Sequence, residues 1–462
     1  MNEILTKIND FMYTYILLIL LVGAGIYFSV STKGVQIRLL KDGIRSIMDK
    51  GKEEEKVSSF QALMISTASR VGTGNIAGIA TAVAAGGPGA VFWMWVMAVV
   101  GSASAFVEST LAQIYKIEEN GQYRGGPSYY MEKALGKRWL GILFSLALIV
   151  CFAYGFNGLQ SFNISSCLEY YIPDYAESIF PAVTGLILAA ASAVVIWGGV
   201  HRISFITSVL VPIMASAYIL VGAFTMILHW RELPHIFSVI LQDAFEFRAF
   251  SGGFAGSAVM VGIKRGLFSN EAGMGSAPNA SASADVSHPV KQGMVQVISV
   301  FIDTLLICTS TAMMLLVSKV PGEKGVLDGI PYVQAAIQAN VGTWGIHFIT
   351  FSIFAFAFSS IVGNYYYAES NILFIKNDKR LLHLFRITCI VAVYLGAQAD
   401  FSLIWNLADI TMGSMAIINI LAIWLLKPTA VQVLNNYEKQ KTEGEEPKFR
   451  GEDVGIEGTV WK

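Results

Sequence analysis

The chain has 462 residues, of which 54% are hydrophobic and only 14% charged, with a formal net charge of −1. Soluble domains carry about a quarter charged residues, so this composition lies outside the soluble class and fits a chain that crosses a bilayer many times. A near-neutral chain with no basic domain also excludes a nucleic-acid binder, which must neutralise phosphates.

Crossing about 30 Å of hydrocarbon takes roughly 20 apolar helical residues. Eleven stretches qualify: 12–31, 59–84, 89–115, 139–163, 178–197, 203–228, 250–283, 291–318, 343–375, 381–398 and 401–426. The first is longer than a signal-peptide core, precedes its positive charges and is followed by no A-x-A site, so a retained helix is expected. Cys151, Cys167, Cys308 and Cys389 lie in or beside apolar runs without C-x-x-C spacing and read as packing residues. Lys and Arg gather in 32–58, 116–138, 376–380 and 427–462, joined by Arg202 and Lys291, against Lys7, Arg231, Arg248, Lys319 and Lys324 on the other side. The positive-inside rule then sets the amino terminus outside the plasma membrane and the carboxyl terminus in the cytoplasm. From Asn435 onward the chain is polar and charged, and a disordered or loosely held tail is expected.

Two of the stretches are interrupted. "ASRVGTGNIAG", Ala68 to Gly78, sets three glycines into the second one, each costing roughly 1 kcal/mol in a helix interior. "GIKRGLFSNEAGMGSAPNASASA", Gly262 to Ala284, interrupts the seventh. Unpaired backbone groups facing lipid cost several kcal/mol each, so both breaks must line a protein-enclosed cavity. With the first helix set aside, ten remain, five and five, with one break near the start of each half. Corresponding breaks of this kind mark a secondary transporter built from inverted repeats. Close packing through small residues is the alternative for a single break, and a nucleotide turn is excluded because the glycines are spaced G-x-G-x-x-x-G.

The expected fold is therefore an all-α membrane protein of eleven transmembrane helices. Residues 1–58 form an extra helix and a cytoplasmic linker, 59–228 and 250–426 the two five-helix repeats, and 427–462 a cytoplasmic tail. N–H groups freed near Thr73 to Asn75 would receive a carboxylate. Carbonyls at the end of the outer half of the seventh span, expected near Lys264 to Phe268, would receive an ammonium. Donors on one side and acceptors on the other suit a zwitterion, and an amino acid fits.

The blocks "VGTGNIAGIATAVAAGGPGAVFWMWV", "ESTLAQIY", "GGPSYYMEKALG", "KRGLFSNEAGMGSAP" and "FAFSSIVGNYYYAE" resemble the alanine/glycine:cation symporter family, and the likeness runs from about Phe60 to Trp424. The resemblance implies sodium-coupled import of small neutral amino acids, a leucine-transporter-like core with its first and sixth helices broken, and one additional amino-terminal helix. It places Thr73, Gly74 and Asn75 at the substrate carboxylate and sets Phe268, Ser269 and Asn270 beside the substrate. Gln160 would face the same pocket and Asn364 would close it. "RVGTGN" is also similar to the sodium-coupled neurotransmitter transporters. That likeness implies sodium held by the carbonyls of Ala68 and Val71 and by hydroxyls at Ser359 and Ser360, with the inward-pointing serine left open. Hard cations prefer such oxygen ligands, and no cofactor beyond the coupling ion is expected.

Arg70, Glu108, Lys264, Arg265, Glu271, Asp303 and Glu369 lie within or close to spans, where an ionisable group is a functional candidate by default. Asp303, deep in the eighth span, could bind an ion, relay a proton, or pair with Arg70, Lys264 or Arg265 as a gate. A structural salt bridge is the alternative. For Glu108 and Glu369, nearer the span ends, the structural reading leads. An enzyme is not expected, because no nucleophile–base pair or metal cluster is evident. Proton coupling, a preference for glutamine, or an amino acid sensor that does not transport are the competing functions on the same scaffold.

Overall fold

The computed structural model describes residues 2–49, 56–119, 121–246, 257–323 and 325–461. Helix α1 (Glu3–Ser31) is followed by a short linker helix, α2 (Leu40–Ile47). Helix α3 (Ser59–Arg70) begins at a reciprocal cap, in which Ser58 Oγ accepts from Gln61 N–H at 3.2 Å and Gln61 Oε1 accepts from Ser58 N–H at 2.9 Å. It stops at Arg70, and a single 3₁₀ turn, Thr73–Asn75, leads into α4 (Ala77–Gly86). The first half continues with α5 (Gly89–Ile114), the antiparallel hairpin β1 (Ile117–Glu119) and β2 (Gln122–Arg124), α6 (Pro127–Lys133), α7 (Arg138–Ser166), α8 (Phe180–Ile196) and α9 (Gly199–Leu228).

After α10 (Leu233–Phe245), the second half repeats the plan. It runs through α11 (Ala258–Asn270), α12 (Ala277–Ser283), α13 (Pro289–Val317), α14 (Gly329–Val341), α15 (Thr343–Ile375), α16 (Lys379–Gly396) and α17 (Phe401–Thr442). Among the described residues seven continuous helices are long and apolar enough to cross a membrane. The broken pairs α3/α4 and α11/α12, with α8 and α16, supply the other expected spans. Residues 250–256 of the seventh expected span lie outside the described residues, as do Lys50, Lys52, Arg248, Lys324 and Lys462 among the cations used for orientation. The hairpin, α10 and α14 form in stretches read as loops; α6 and α14 hold the same place in the two halves, between second and third spans.

Helix α5 packs along α1, α11 and α13, while α3 packs on α9 and α15. Both broken helices are thereby enclosed by protein. The starts of α1 and α17 lie together on one face of the bundle, the N face. The hairpin and the carboxyl-terminal segment lie on the opposite C face.

Two expectations are corrected. The second break does not fall at Lys264 to Phe268: α11 stays helical to Asn270 and turns only at Glu271. Gly262 and Gly266 are packing positions, since a Cβ on Gly262 would lie 2.4 Å from the Ala90 carbonyl oxygen and one on Gly266 3.2 Å from Met97 Cβ. The chain turns instead where Gly273 and Gly275 adopt φ of +81° and +85°, which glycine accepts without strain. The tail is not loose either. Helix α17 runs on to Thr442, Phe449 N–H donates to the Ser287 carbonyl at 2.9 Å, and Trp461 Nε1 donates to the Gln113 carbonyl at 2.8 Å. The Phe449 and Trp461 rings meet edge to face at 5.3–5.5 Å, with centroids 5.4 Å apart, so two aromatic anchors hold a segment whose composition is otherwise polar.

Where α7 crosses α16, a Cβ on Gly396 would lie 2.4 Å from Gly158 Cα. Gly396→Ala should therefore force the two backbones apart and lower stability by about 1–3 kcal/mol. Gly23→Ala, with nothing within 4 Å of its added carbon, should not. Thermal unfolding of the detergent-solubilised protein distinguishes them.

Candidate functional site

Helix α3 ends because Val71 and Gly72 leave helical geometry, Gly72 at φ −129° and ψ −157°. Gly72 is pressed against two side chains: a Cβ there would lie 2.4 Å from Ser360 Oγ and 2.9 Å from Gln160 Nε2. The freed donors are shared between local and distant groups. Gly72 N–H donates to Asn75 Oδ1 at 3.1 Å, and Thr73 N–H donates to Gln160 Oε1 at 3.0 Å. Asn163 Nδ2 donates to Thr73 Oγ1 at 2.9 Å. Gly74 faces the Phe268 ring, whose edge would be 2.5 Å from an added Cβ. That ring packs on Phe156 and Trp405 at centroid distances of 5.0 and 5.3 Å.

Asn75 joins the two broken helices. Its Nδ2 donates to Asp303 Oδ1 at 2.6 Å and lies 3.3 Å from Ser269 Oγ, while its carbonyl accepts from Thr311 Oγ1 at 2.6 Å. Ser269 Oγ also donates to Asp303 Oδ2, and Cys308 Sγ sits 3.0 Å from Ser269 Oγ. Asp303 and Cys308 both belong to a π-helical stretch of α13, Phe301–Cys308, an irregularity frequent at functional sites.

Thr73, Gly74, Asn75, Gln160, Phe268 and Ser269 therefore form one cluster. Asn270 and Asn364 stand beside it. Asn270 Oδ1 accepts from Ala272 N–H at 3.0 Å inside the second turn. Asn364 Oδ1 accepts from Ser69 Oγ at 2.7 Å, its Nδ2 donates to Asn157 Oδ1 at 3.0 Å, and Ser69 Oγ is also 3.0 Å from Glu271 Oε1. Of the two serines, Ser360 reaches the break: its Oγ lies 3.0 Å from the Ala68 carbonyl oxygen and 3.4 Å from that of Val71. Ser359 instead donates to the Phe356 carbonyl at 2.8 Å and lies 3.9 Å from Met214 Sδ. The oxygens of Ala68, Val71 and Ser360 make a neutral set of the kind a hard monovalent cation accepts.

The charges sort differently from the gate expected between Asp303 and Lys264 or Arg265. Among the described residues Asp303 makes no ion pair, with Arg70 or any other cation. Lys264 Nζ lies 2.6 Å from Asp409 Oδ2, and Arg265 grips the same carboxylate at 3.2 and 3.3 Å. Asp409 escaped the sequence reading. Two adjacent cations in one span were its signal, because such charges require a carboxylate from a neighbouring helix. Arg70 donates from Nη1 to Gln296 Oε1 at 3.1 Å, whereas its Nε and Nη2 are buried without a hydrogen-bond partner. Glu108 accepts from Gly273 and Gly275 N–H at 3.2 and 3.1 Å and from Asn419 Nδ2 at 2.7 Å, which ties the second turn to α5 and α17. Glu369 pairs with Arg386 at 3.1 Å.

Two broken helices meeting at an asparagine–serine–aspartate cluster, with a neutral oxygen set at the first break, form a site for a small polar solute and a cation. The profile of the sodium:alanine symporter family matches residues 1–451. The chain belongs to that family. It is a multi-pass membrane protein that carries an amino acid together with a cation, and it is not an enzyme. Amino-acid carrier protein AlsT of Bacillus subtilis is 45% identical over 453 residues, covering 98% of this chain and 96% of that protein. The probable sodium/glutamine symporter GlnT of the same organism is 45% identical over 455 residues, covering 97% and 94%. Sodium/alanine symporter AgcS of Methanococcus maripaludis is 36% identical over 439 residues, covering 93% and 95%. Among solved structures, that of MhsT in complex with L-phenylalanine superposes with a TM-score of 0.56 at 13% identity, over 88% of this chain and 94% of that one. The symporter thus has the leucine-transporter-like fold, five plus five helices preceded by α1.

Glu108→Ala leaves the N–H groups of Gly273 and Gly275 without their acceptor. Each buried unpaired donor costs about 1–3 kcal/mol, so the variant should unfold at a markedly lower temperature. Glu108→Gln keeps an acceptor oxygen and should retain most of the stability.

Proposed function

We propose that this symporter imports alanine or glycine with sodium by alternating access. One observation carries the reading: Ser360 Oγ lies 3.0 and 3.4 Å from the carbonyl oxygens of Ala68 and Val71, immediately before the Thr73–Asn75 turn. Sodium among these oxygens would fix the same backbone segment whose N–H groups meet the solute carboxylate. Ion and solute then order one turn together, which is a physical basis for coupling. Ser269, Asn270 and the last carbonyls of α11 face the ammonium end, with Gln160 and Asn364 completing the wall. Contact of the Phe268 ring with Gly74 leaves room for a hydrogen or methyl side chain and disfavours larger ones.

In this reading the N face is extracellular and the C face cytoplasmic, following the distribution of Lys and Arg. The N face is closed by the Asp409 cluster. The C face is closed by Gln113 and Lys116, whose nitrogens lie 3.0 and 2.8 Å from the Ala284 carbonyl, and by Lys56 paired with Glu118 at 3.0 Å. Transport requires these two sets to open in turn.

A second reading, proton coupling through Asp303, is favoured by a carboxylate that is wholly buried and bonded to Asn75, Ser269 and Thr304. Uptake of labelled alanine into proteoliposomes separates the two. Accumulation is expected under a sodium gradient, with glycine competing and glutamine not. Equal accumulation under a proton gradient alone would replace sodium by Asp303 chemistry, effective competition by glutamine would reassign the substrate, and saturable binding without accumulation would make the chain a sensor. Ser360→Ala should raise the half-saturating sodium concentration about tenfold, the equivalent of about 1.4 kcal/mol for one lost ligand. Asn75→Ala should weaken alanine binding by about 1–3 kcal/mol.

A further inference from the structure

Helix α1 stands outside the ten-helix core, yet its polar residues reach a charged cluster inside it. Asn9 and Tyr13 are each 2% exposed. Asn9 Nδ2 lies 3.1 Å from Asn406 Oδ1 and 3.3 Å from Asp409 Oδ2, and Tyr13 Oη donates to the Asp409 carbonyl at 3.1 Å. Lys264 Nζ lies 4.8 Å over the Tyr13 ring while it pairs with Asp409. Asp10, also on α1, adds an attractive charge within reach of Lys264. The two cations of α11 are thus balanced by one carboxylate from α17 and one from α1.

The chain of contacts continues to the solute site. Arg265, held by both oxygens of Asp409, lies 4.4 Å from the Trp405 ring centroid. Trp405 packs on Phe268, and Phe268 lies against Gly74. Each link is a charged or aromatic contact in a medium of low dielectric, where such contacts are strong and directional.

We propose that α1 is a working part of the gate on the N face: Asn9 and Tyr13 are positioning residues that hold Asp409, and through Arg265 and Trp405 they keep Phe268 seated against Gly74. Loosening them raises the frequency with which the site opens on this face. The inference rests on the reading of the chain as an alternating-access symporter.

Cys308, beside Asn75 and Ser269, is a native reporter of that opening. The full-length chain with Cys151, Cys167 and Cys389 replaced by alanine is reconstituted and labelled from the N face with a membrane-impermeant methanethiosulfonate. Asn9→Ala with Tyr13→Phe should speed modification of Cys308 about tenfold, and saturating alanine with sodium should slow it again. Tyr13→Phe alone, which keeps the ring, should speed it about threefold. A role confined to stability predicts a lower melting temperature with the labelling rate unchanged, and that result in Tyr13→Phe overturns the proposal. Should the double variant not fold, the single variant decides. Labelling reads opening whichever solute is carried, so failure of alanine uptake counts against the proposed substrate and leaves this test intact.

Discussion

A peptide N–H or carbonyl left without a partner in hydrocarbon costs several kcal/mol, and this chain releases such groups at mid-depth in two places. Everything around the centre answers that demand. Gln160 and Asn75 take up donors of the first turn, Ser360 supplies a hydroxyl to two of its carbonyls, and Glu108 receives the donors of the second. Each of these side chains comes from a different helix or from the turn itself, so the breaks draw α5, α7 and α15 into one arrangement. The groups that make the site are the groups that make the break tolerable.

The two breaks solve the problem with different chemistry. The first is lined by neutral amides and hydroxyls, whose partners a cation or a zwitterion can replace at modest cost. The second is bound by carboxylates: Glu108 on its donors, and Glu271, at φ 54°, holding Ser69 and Ser276 through its two oxygens at 3.0 and 2.5 Å. A non-glycine residue in the left-handed region is uncommon, and these bonds hold it there. One turn is built to exchange partners and the other to stay tied.

Spans, half-repeats and the first break were legible because they depend on apolar run length and on glycine density, which are local. The second break was placed several residues early for a physical reason: Gly262 and Gly266 allow close approach to α5, whereas Gly273 and Gly275 allow positive φ, and sequence shows the residue type without the use made of it. Asp409 was invisible for a related reason, since its partners are 144 positions away in the chain. The choice between Ser359 and Ser360 turns on a 100° step around one helix, which apolar periodicity in an all-round buried helix does not encode. The docked tail was misjudged from average polarity, although Phe449 and Trp461 are enough to pin it.

The hydroxyl of Ser360 now points its proton at backbone oxygens. A metal ion arriving between them would need the lone pairs of that oxygen instead, so loading begins with rotation about a single Cβ–Oγ bond. Such a rotor turns in picoseconds to nanoseconds, far faster than helices slide. Capture of the coupling ion is thereby freed from the slow rearrangements of the bundle and can precede them.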